Sequence, residues 1–457
     1  MVSGPRLAIL CCLSLLLIAA PLRAEEAIDA EEPIPSSVDD VIGPMERMGE
    51  EKPGQAGLSP WLTEQLQDTP PFFRDTKVNL NLRTFYRRRS NYDASLTEAW
   101  ALGGALSYRS GWLYDRLSVG ATLYTSQPLY GRHDRDGSGL LAPGQNGYTV
   151  LGQLYGRLKL WDRTFLNLYR YGEYNTPYLS GNDSRMTPYT FESYALQGVL
   201  GGKDDMPCFN YGGGYIAKIK DKTAEDFLWM SEKLGATAKR GVAVLGGRYT
   251  HGKFSVGAIN YFSNDIINIG YAETSYTMDL ENGLGIRLAV QYSDQRSVGS
   301  DLLTGYSFST HQIGVKSDLS YEGTVLTTAF TSNSRGYDLQ NPWSGYPGFT
   351  GAMITNYNKA GYSAWYTKLS YDFKQVGLNG VSAYALVTHG WDMVDQNTKE
   401  ALPGENEFNA DLQWRPTWNL FKGIWFRLRY GVVHQYEGDK KYTHDGRVIV
   451  NYDFPLL

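Results

Sequence analysis

The sequence predicts an all-β fold, a transmembrane antiparallel β-barrel of about 18 strands. Three observations lead there. Polar and apolar residues alternate with period two from Lys77 to the C-terminus. No stretch after residue 22 approaches the roughly 18 apolar residues of a membrane helix. The 457 residues include 34 Tyr, 17 Phe, 11 Trp and 50 Gly but only 20% charged residues, which suits strands, tight turns and aromatic belts better than helices.

The chain opens with Arg6, an apolar run over residues 7–20 and a small residue at Ala24. This order predicts a signal peptide, residues 1–24, cleaved before Glu25. Leu10 precedes Cys11 and Cys12, where a lipoprotein signal requires a small residue, so no lipid anchor is expected. Removing the leader leaves Cys208 alone, and the fold must hold without an internal disulfide. Residues 25–70 carry 12 acids and 2 bases with no hydrophobic periodicity, and are expected to form an acidic, disordered tail. Residues 71–457 then carry 39 bases and 36 acids, so the acidic total belongs to the tail.

In a strand, successive side chains point to opposite faces. In the first, Val78, Leu80, Leu82 and Tyr86 oppose Lys77, Asn79, Asn81, Arg83 and Arg87. Further along, Leu154, Leu158 and Leu160 oppose Gln153, Tyr155, Arg157 and Lys159, and Ile286, Leu288, Val290 and Tyr292 oppose Arg287, Gln291 and Ser293. Near the end, Phe408, Ala410, Leu412 and Trp414 oppose Glu407, Asn409, Asp411, Gln413 and Arg415. Phe426, Leu428, Tyr430 and Val432 oppose Arg427 and Arg429; Val448, Val450, Tyr452 and Phe454 oppose Arg447, Asn451 and Asp453.

Any one such strand also fits a soluble sandwich. Taken together, nearly 390 residues of amphipathic strand (71–457) without covering helices need lipid against their apolar faces. A closed barrel supplies this: it turns the polar side to a wet lumen and leaves no unpaired backbone edge. The setting implied is the outer membrane of a Gram-negative-type envelope.

The segments NLRTFYRRR (81–89), NTPYLSGNDSRMTPYTFES, IKDKTAEDFLWMSEKLG, NPWSGYPGF, WFRLRY and RVIVNYDFPLL resemble, in that order, the OprD-type specific porins. The acidic tail departs from that pattern. The resemblance implies an 18-stranded barrel with inward-folded extracellular loops, and a row of lumenal bases guiding substrate carboxylates. Carried onto this chain, the row falls on Arg83, Arg427 and Arg429; Arg415, Arg447 and Lys368 are added from facing alone. The turn-rich segment 175–191 is, by resemblance, the inward loop, with Asp183, Ser184, Arg185 and Tyr189 near the constriction; on composition it fits an ordinary external loop equally. The stretch YALVTHG (384–390) lacks a base found there in some relatives.

The function expected is passive, partly selective diffusion of small carboxylate-bearing solutes such as amino acids, peptides and organic acids. Each guanidinium grips a carboxylate through two parallel hydrogen bonds. The same bases could instead pair with Glu407 and Asp411 to brace the wall. A nonspecific porin is the first alternative and an outer-membrane hydrolase the second, although no GxSxG, HExxH or Cys/His metal spacing occurs and the six histidines are scattered. No catalytic residue, cofactor, metal or nucleic-acid partner is expected. Membrane lipid and lipopolysaccharide are the expected surroundings, with Arg88, in the run Arg87 to Arg89, as an outward base that meets lipopolysaccharide or simply solvates a strand end. Gly212, Gly213 and Gly214 are read as relief of strand curvature. Solute identity and oligomeric state stay open.

Overall fold

The alternation in the sequence becomes an inside and an outside. In the computed structural model, Leu288, Val290 and Tyr292 are exposed on the outer surface while Ala289, Gln291, Ser293 and Gln295 are buried within. The same division holds at Phe408 and Leu412 against Glu407, Asn409 and Asp411. The model describes residues 60–202, 207–281, 283–418, 421, 423–436 and 441–457. The expected signal peptide and residues 25–59 of the expected tail lie outside the described residues.

Nineteen strands follow among them: β1 (Lys77–Ser90), β2 (Leu96–Arg109), β3 (Leu117–Gly131), β4 (Tyr148–Trp161), β5 (Thr164–Tyr171), β6 (Thr190–Gly201), β7 (Cys208–Lys220), β8 (Phe227–Trp229), β9 (Val242–His251), β10 (Phe254–Ser263), β11 (Ile267–Asp279), β12 (Gly285–Arg296), β13 (Ser309–Tyr321), β14 (Thr324–Asn333), β15 (Ser363–Asp372), β16 (Val381–Trp391), β17 (Glu405–Trp414), β18 (Ile424–Gln435) and β19 (Lys441–Pro455). Eighteen form the wall, each antiparallel to its neighbour, and β19 closes on β1 from Asn79↔Pro455 to Ser90↔His444. The extra strand, β8, is a three-residue piece paired with β7 inside a loop. No described helix is long and apolar enough to cross a membrane. Short turns such as 162–163, 252–253 and 322–323 mark the periplasmic end, and long loops such as 132–147, 172–189 and 334–362 the extracellular end.

Strict period two slips where β4 meets β3. Thr122 pairs with Gln153 but Leu123 with Leu151, leaving Gly152 as an extra residue. This bulge turns both Val150 and Gln153 inward. The triple glycine of β7 has a comparable purpose. A Cβ on Gly214 would lie 2.6 Å from the Ala195 Cα of β6, so the two strands approach more closely than a side chain permits.

The last residues of the expected disordered tail are helical. Helix α1 (Pro60–Leu66) starts on a proline, which suits a first turn, and α2 (Pro71–Arg74) starts on another. The amide of Gly111, in the β2–β3 turn, donates to the Phe72 carbonyl at 2.9 Å. That bond seats the start of the barrel chain at the periplasmic rim.

Gly214→Val is expected to destabilise the barrel by about 1–3 kcal/mol through overpacking. Heat-modifiable gel mobility across a urea series checks this: the folded band should be lost at lower urea than in the parent, and an unchanged midpoint would show that β6 and β7 can separate freely.

Candidate functional site

Closure of the wall brings together residues from both ends of the chain. On β18, β19 and β1, Arg429 stands opposite Arg447, and Arg447 opposite Arg87. Asp411 of β17 continues the row opposite Arg429. All four face the lumen. Arg427 lies two residues from Arg429 on the same face, about 7 Å away along the strand.

Two aspartates bridge these bases. Asp411 Oδ2 lies 2.9 Å from Arg427 Nε and 2.7 Å from Arg429 Nε. Asp445, fully buried, lies 2.6 Å from Arg87 Nη2 and 2.9 Å from Arg447 Nη2. Four guanidinium groups thus share two carboxylates, so the patch retains positive charge after pairing. Arg429 Nη2 also donates to Tyr384 Oη at 3.0 Å; this tyrosine stands in the stretch of β16 that lacks a base. Glu407, considered above as a bracing partner, instead accepts from the amides of Ile354 and Thr355, both at 2.8 Å.

The bases also hold the loops. Arg83 grips Asp183 with two hydrogen bonds of 2.6 Å, donates to the Arg185 carbonyl at 2.5 Å and is steadied by Asn451 Oδ1 at 2.6 Å. Within the same 172–189 loop, Tyr178 Oη reaches Ser293 Oγ of β12 at 2.6 Å. The loop therefore runs from β1 to the nearly opposite wall, across the lumen, rather than outside it. Arg87 Nη1 donates to the Ser138 carbonyl of the 132–147 loop at 2.6 Å, and Arg447 Nη2 to the Met353 carbonyl of the 334–362 loop at 3.3 Å.

The 334–362 loop is a second crossing segment that the sequence reading did not assign. Its residues Trp343, Tyr346, Phe349 and Tyr357 are buried. Ser344 meets the first loop: its hydroxyl accepts from the Ser180 amide at 2.9 Å, and its carbonyl from Asn182 Nδ2 at 2.8 Å. Gly345 is required there, because a Cβ would lie 2.6 Å from the Pro177 carbonyl oxygen. Aromatic packing of Tyr171, Tyr174, Tyr178, Tyr261 and Trp343 fills the side of the lumen opposite the arginines.

Asp183, Ser184, Arg185 and Tyr189 do lie together, and Lys222, from the 221–241 loop, joins them. Lys222 Nζ donates to Asn182 Oδ1 at 2.8 Å and Ser184 Oγ at 2.7 Å, and sits 4.8 Å from the Tyr189 ring centroid. Arg185 donates to the Ser184 carbonyl at 2.8 Å. These acceptors are neutral. Burial, with Arg447 and Arg87 nearby, pushes Arg185 well below the usual guanidinium range. Burial, with Arg185 nearby, likewise pushes Lys222 well below the usual lysine range. Lys222 falls within IKDKTAEDFLWMSEKLG, but nothing in that segment shows which loop tip turns inward.

The other assigned bases are spread apart. Lys368 faces the lumen on β15, 5.6 Å from the Tyr384 ring centroid. Arg415 lies just beyond β17 in the periplasmic turn, 5.4 Å from the Trp425 ring centroid, outside the row that holds Arg447. Arg88 is exposed on the outer surface, in register with Glu98, while Arg87 faces inward. Three of the scattered histidines, His389, His434 and His444, stand on the outer face among tyrosines and tryptophans, away from the lumen.

A closed barrel with charged residues and crossing loops inside, and apolar residues outside, defines an outer-membrane channel. The family model described as outer membrane porin, OprD family, matches residues 70–456, and the chain belongs to that family of substrate-specific outer-membrane porins. Its fold is similar to that of Pseudomonas aeruginosa OccK9 (OpdG), with a TM-score of 0.75 at 22% identity, covering 85% of this chain and 100% of that one. Acinetobacter baumannii OccAB3 gives 0.73 at 18% identity, covering 83% and 99%. The structure of P. aeruginosa OpdK with vanillate gives 0.71 at 17% identity, covering 84% and 100%. No curated protein matches the chain by sequence.

Gly345→Val is expected to unseat the 334–362 loop from the 172–189 loop and raise single-channel conductance, with an unchanged heat-modifiable gel shift. An unchanged conductance would mean that this junction does not limit the pore.

Proposed function

We propose that the channel passes small carboxylate-bearing solutes by passive diffusion, handing them along the inward bases. The observation that carries this reading is the shared pairing: Arg427, Arg429, Arg447 and Arg87 divide two aspartates between them. Beside them, Arg185 and Lys222 are held against neutral acceptors. Their lowered proton affinities mean that an anion seated there relieves repulsion. A carboxylate entering from outside meets Lys222 and Arg185 at the crossing loops, then the row on β18, β19 and β1, with Arg83 beneath. Several similar sites in succession hold the solute weakly enough for release, whereas one tight site would trap it. The low-dielectric wall focuses the positive field into the path. Arg415 and Lys368 are secondary stations. Vanillate, bound in one structural relative, is a carboxylate of this size class and a reasonable first solute to try.

The bridging aspartates favour one rival, a nonspecific sieve whose wall charges are merely braced. Liposome uptake of a small carboxylate against a neutral solute of equal size separates the two. Replacing Arg427 and Arg429 by Gln is expected to lower carboxylate uptake about threefold to tenfold, equivalent to roughly 1 kcal/mol of screened interaction, with neutral uptake unchanged. An equal effect on both solutes would favour the sieve.

Lys222 also gives the channel a pH response. Because its proton affinity is lowered, it loses its charge on raising pH before an ordinary lysine does, below about pH 10. Anion preference should decline over that range, and Lys222→Gln should remove that decline. A preference in the parent that stays flat until ordinary lysines titrate would exclude Lys222 from the path.

A further inference from the structure

The periplasmic half of the lumen carries more positive charge than the solute path described above uses. Below the crossing loops, inward-facing bases stand on strands around most of the wall: Lys77 on β1, Arg109 in register with it on β2, Lys159 on β4, Arg248 on β9, Arg287 on β12 and Lys368 on β15. Acids share this space, among them Asp318, in register with Arg287, and Asp453, in register with Asn81. They are fewer than the bases, and the described wall of that half remains net positive.

The chain supplies a polyanion at the mouth of this half. Residues 25–59 contain ten acids and two bases. They lead into α1 and then α2, and α2 is anchored at the periplasmic rim through the bond from Gly111 to Phe72. Thirty-five residues behaving as a flexible chain would have a root-mean-square reach of about 30–35 Å, comparable to the roughly 30 Å hydrocarbon thickness. A tether of that length holds its charges near the mouth at an effective concentration on the order of millimolar. Ten carboxylates facing a net-positive, low-dielectric enclosure are attracted far more strongly than the same charges in open water.

We propose that residues 25–59 dock in the basic periplasmic half of the lumen, as a built-in polyanion that competes with anionic solutes for its bases. The occupant is this segment rather than a separate acidic protein, because it is already fixed at the opening and opposite in charge to it. The inference requires only that the barrel conduct. It does not depend on a carboxylate preference, which is measured separately by solute uptake through a variant with a neutral tail.

The test compares the full chain with a variant in which the ten acids of residues 25–59 are replaced by Asn or Gln. All ten positions precede the first wall strand in sequence, so both proteins should show the same heat-modifiable band. In planar bilayers at about 0.1 M salt, the neutral-tail variant should carry at least about twice the anion current of the parent, and the difference should vanish near 1 M, where the Debye length falls to about 3 Å. A synthetic peptide of residues 25–59 should block the variant from the periplasmic side. In the parent, carbodiimide should join tail carboxylates to Lys77, Lys159 or Lys368, each coupling forming an amide with loss of water. Equal currents at low salt would overturn the proposal, as would cross-links from the tail that avoid all three lysines.

Discussion

Every backbone N–H and C=O facing lipid must find a partner within the wall, and the pairing of β1 with β19 meets that requirement for the two strands that would otherwise be edges. This seam does more than close the sheet. It sets Arg87 and Asp445, 358 positions apart in sequence, on adjacent strands, and aligns Arg429, Arg447 and Arg87 in one row. The densest part of the positive lining therefore exists because of closure. A barrel left open at this seam would lose its edge hydrogen bonds and separate the arginines that face the path.

The same arginines have a mechanical part. Arg83, Arg87 and Arg447 each reach a different extracellular loop, so the wall that carries the basic row also fixes the segments crossing the lumen. This explains how charged groups so deeply buried are tolerated. Each spends its donors on a carboxylate, a loop carbonyl or an amide oxygen, which compensates for lost water. Arg185 and Lys222 are less fully compensated, with neutral acceptors in place of carboxylates. On the far side, the lumen is filled by tyrosine packing around Tyr178 and Trp343.

Much of the wall was legible in the sequence. Period-two alternation assigned the inward faces of β1, β12, β17, β18 and β19, and therefore Arg83, Arg427, Arg429 and Arg447. On β4 it gives the faces of Gln153 to Leu160 but does not extend back past Gly152, where a bulge changes the phase and an extra residue leaves no mark in a pattern of residue types. The loop contacts were less accessible. Asp183 pairs with Arg83 across 100 positions, and Lys222 meets Ser184 only when two loops have both folded inward. Arg415 shows the limit of facing as a guide: it keeps the phase of β17 but lies past the strand's end, where phase no longer determines direction. Helix α1 leaves no signal in the acidic tail for a related reason, since a helix of seven residues produces no readable period.

On the reading proposed above, the row across the closure seam, with Arg185 and Lys222 above it, makes the lumen a field for anions. The reversal potential of the full-length channel across an about tenfold potassium chloride gradient at low ionic strength measures this directly. A potential on the chloride side of zero that shrinks as salt is raised on both sides is expected. A cation-preferring potential, or one indifferent to salt, would contradict it.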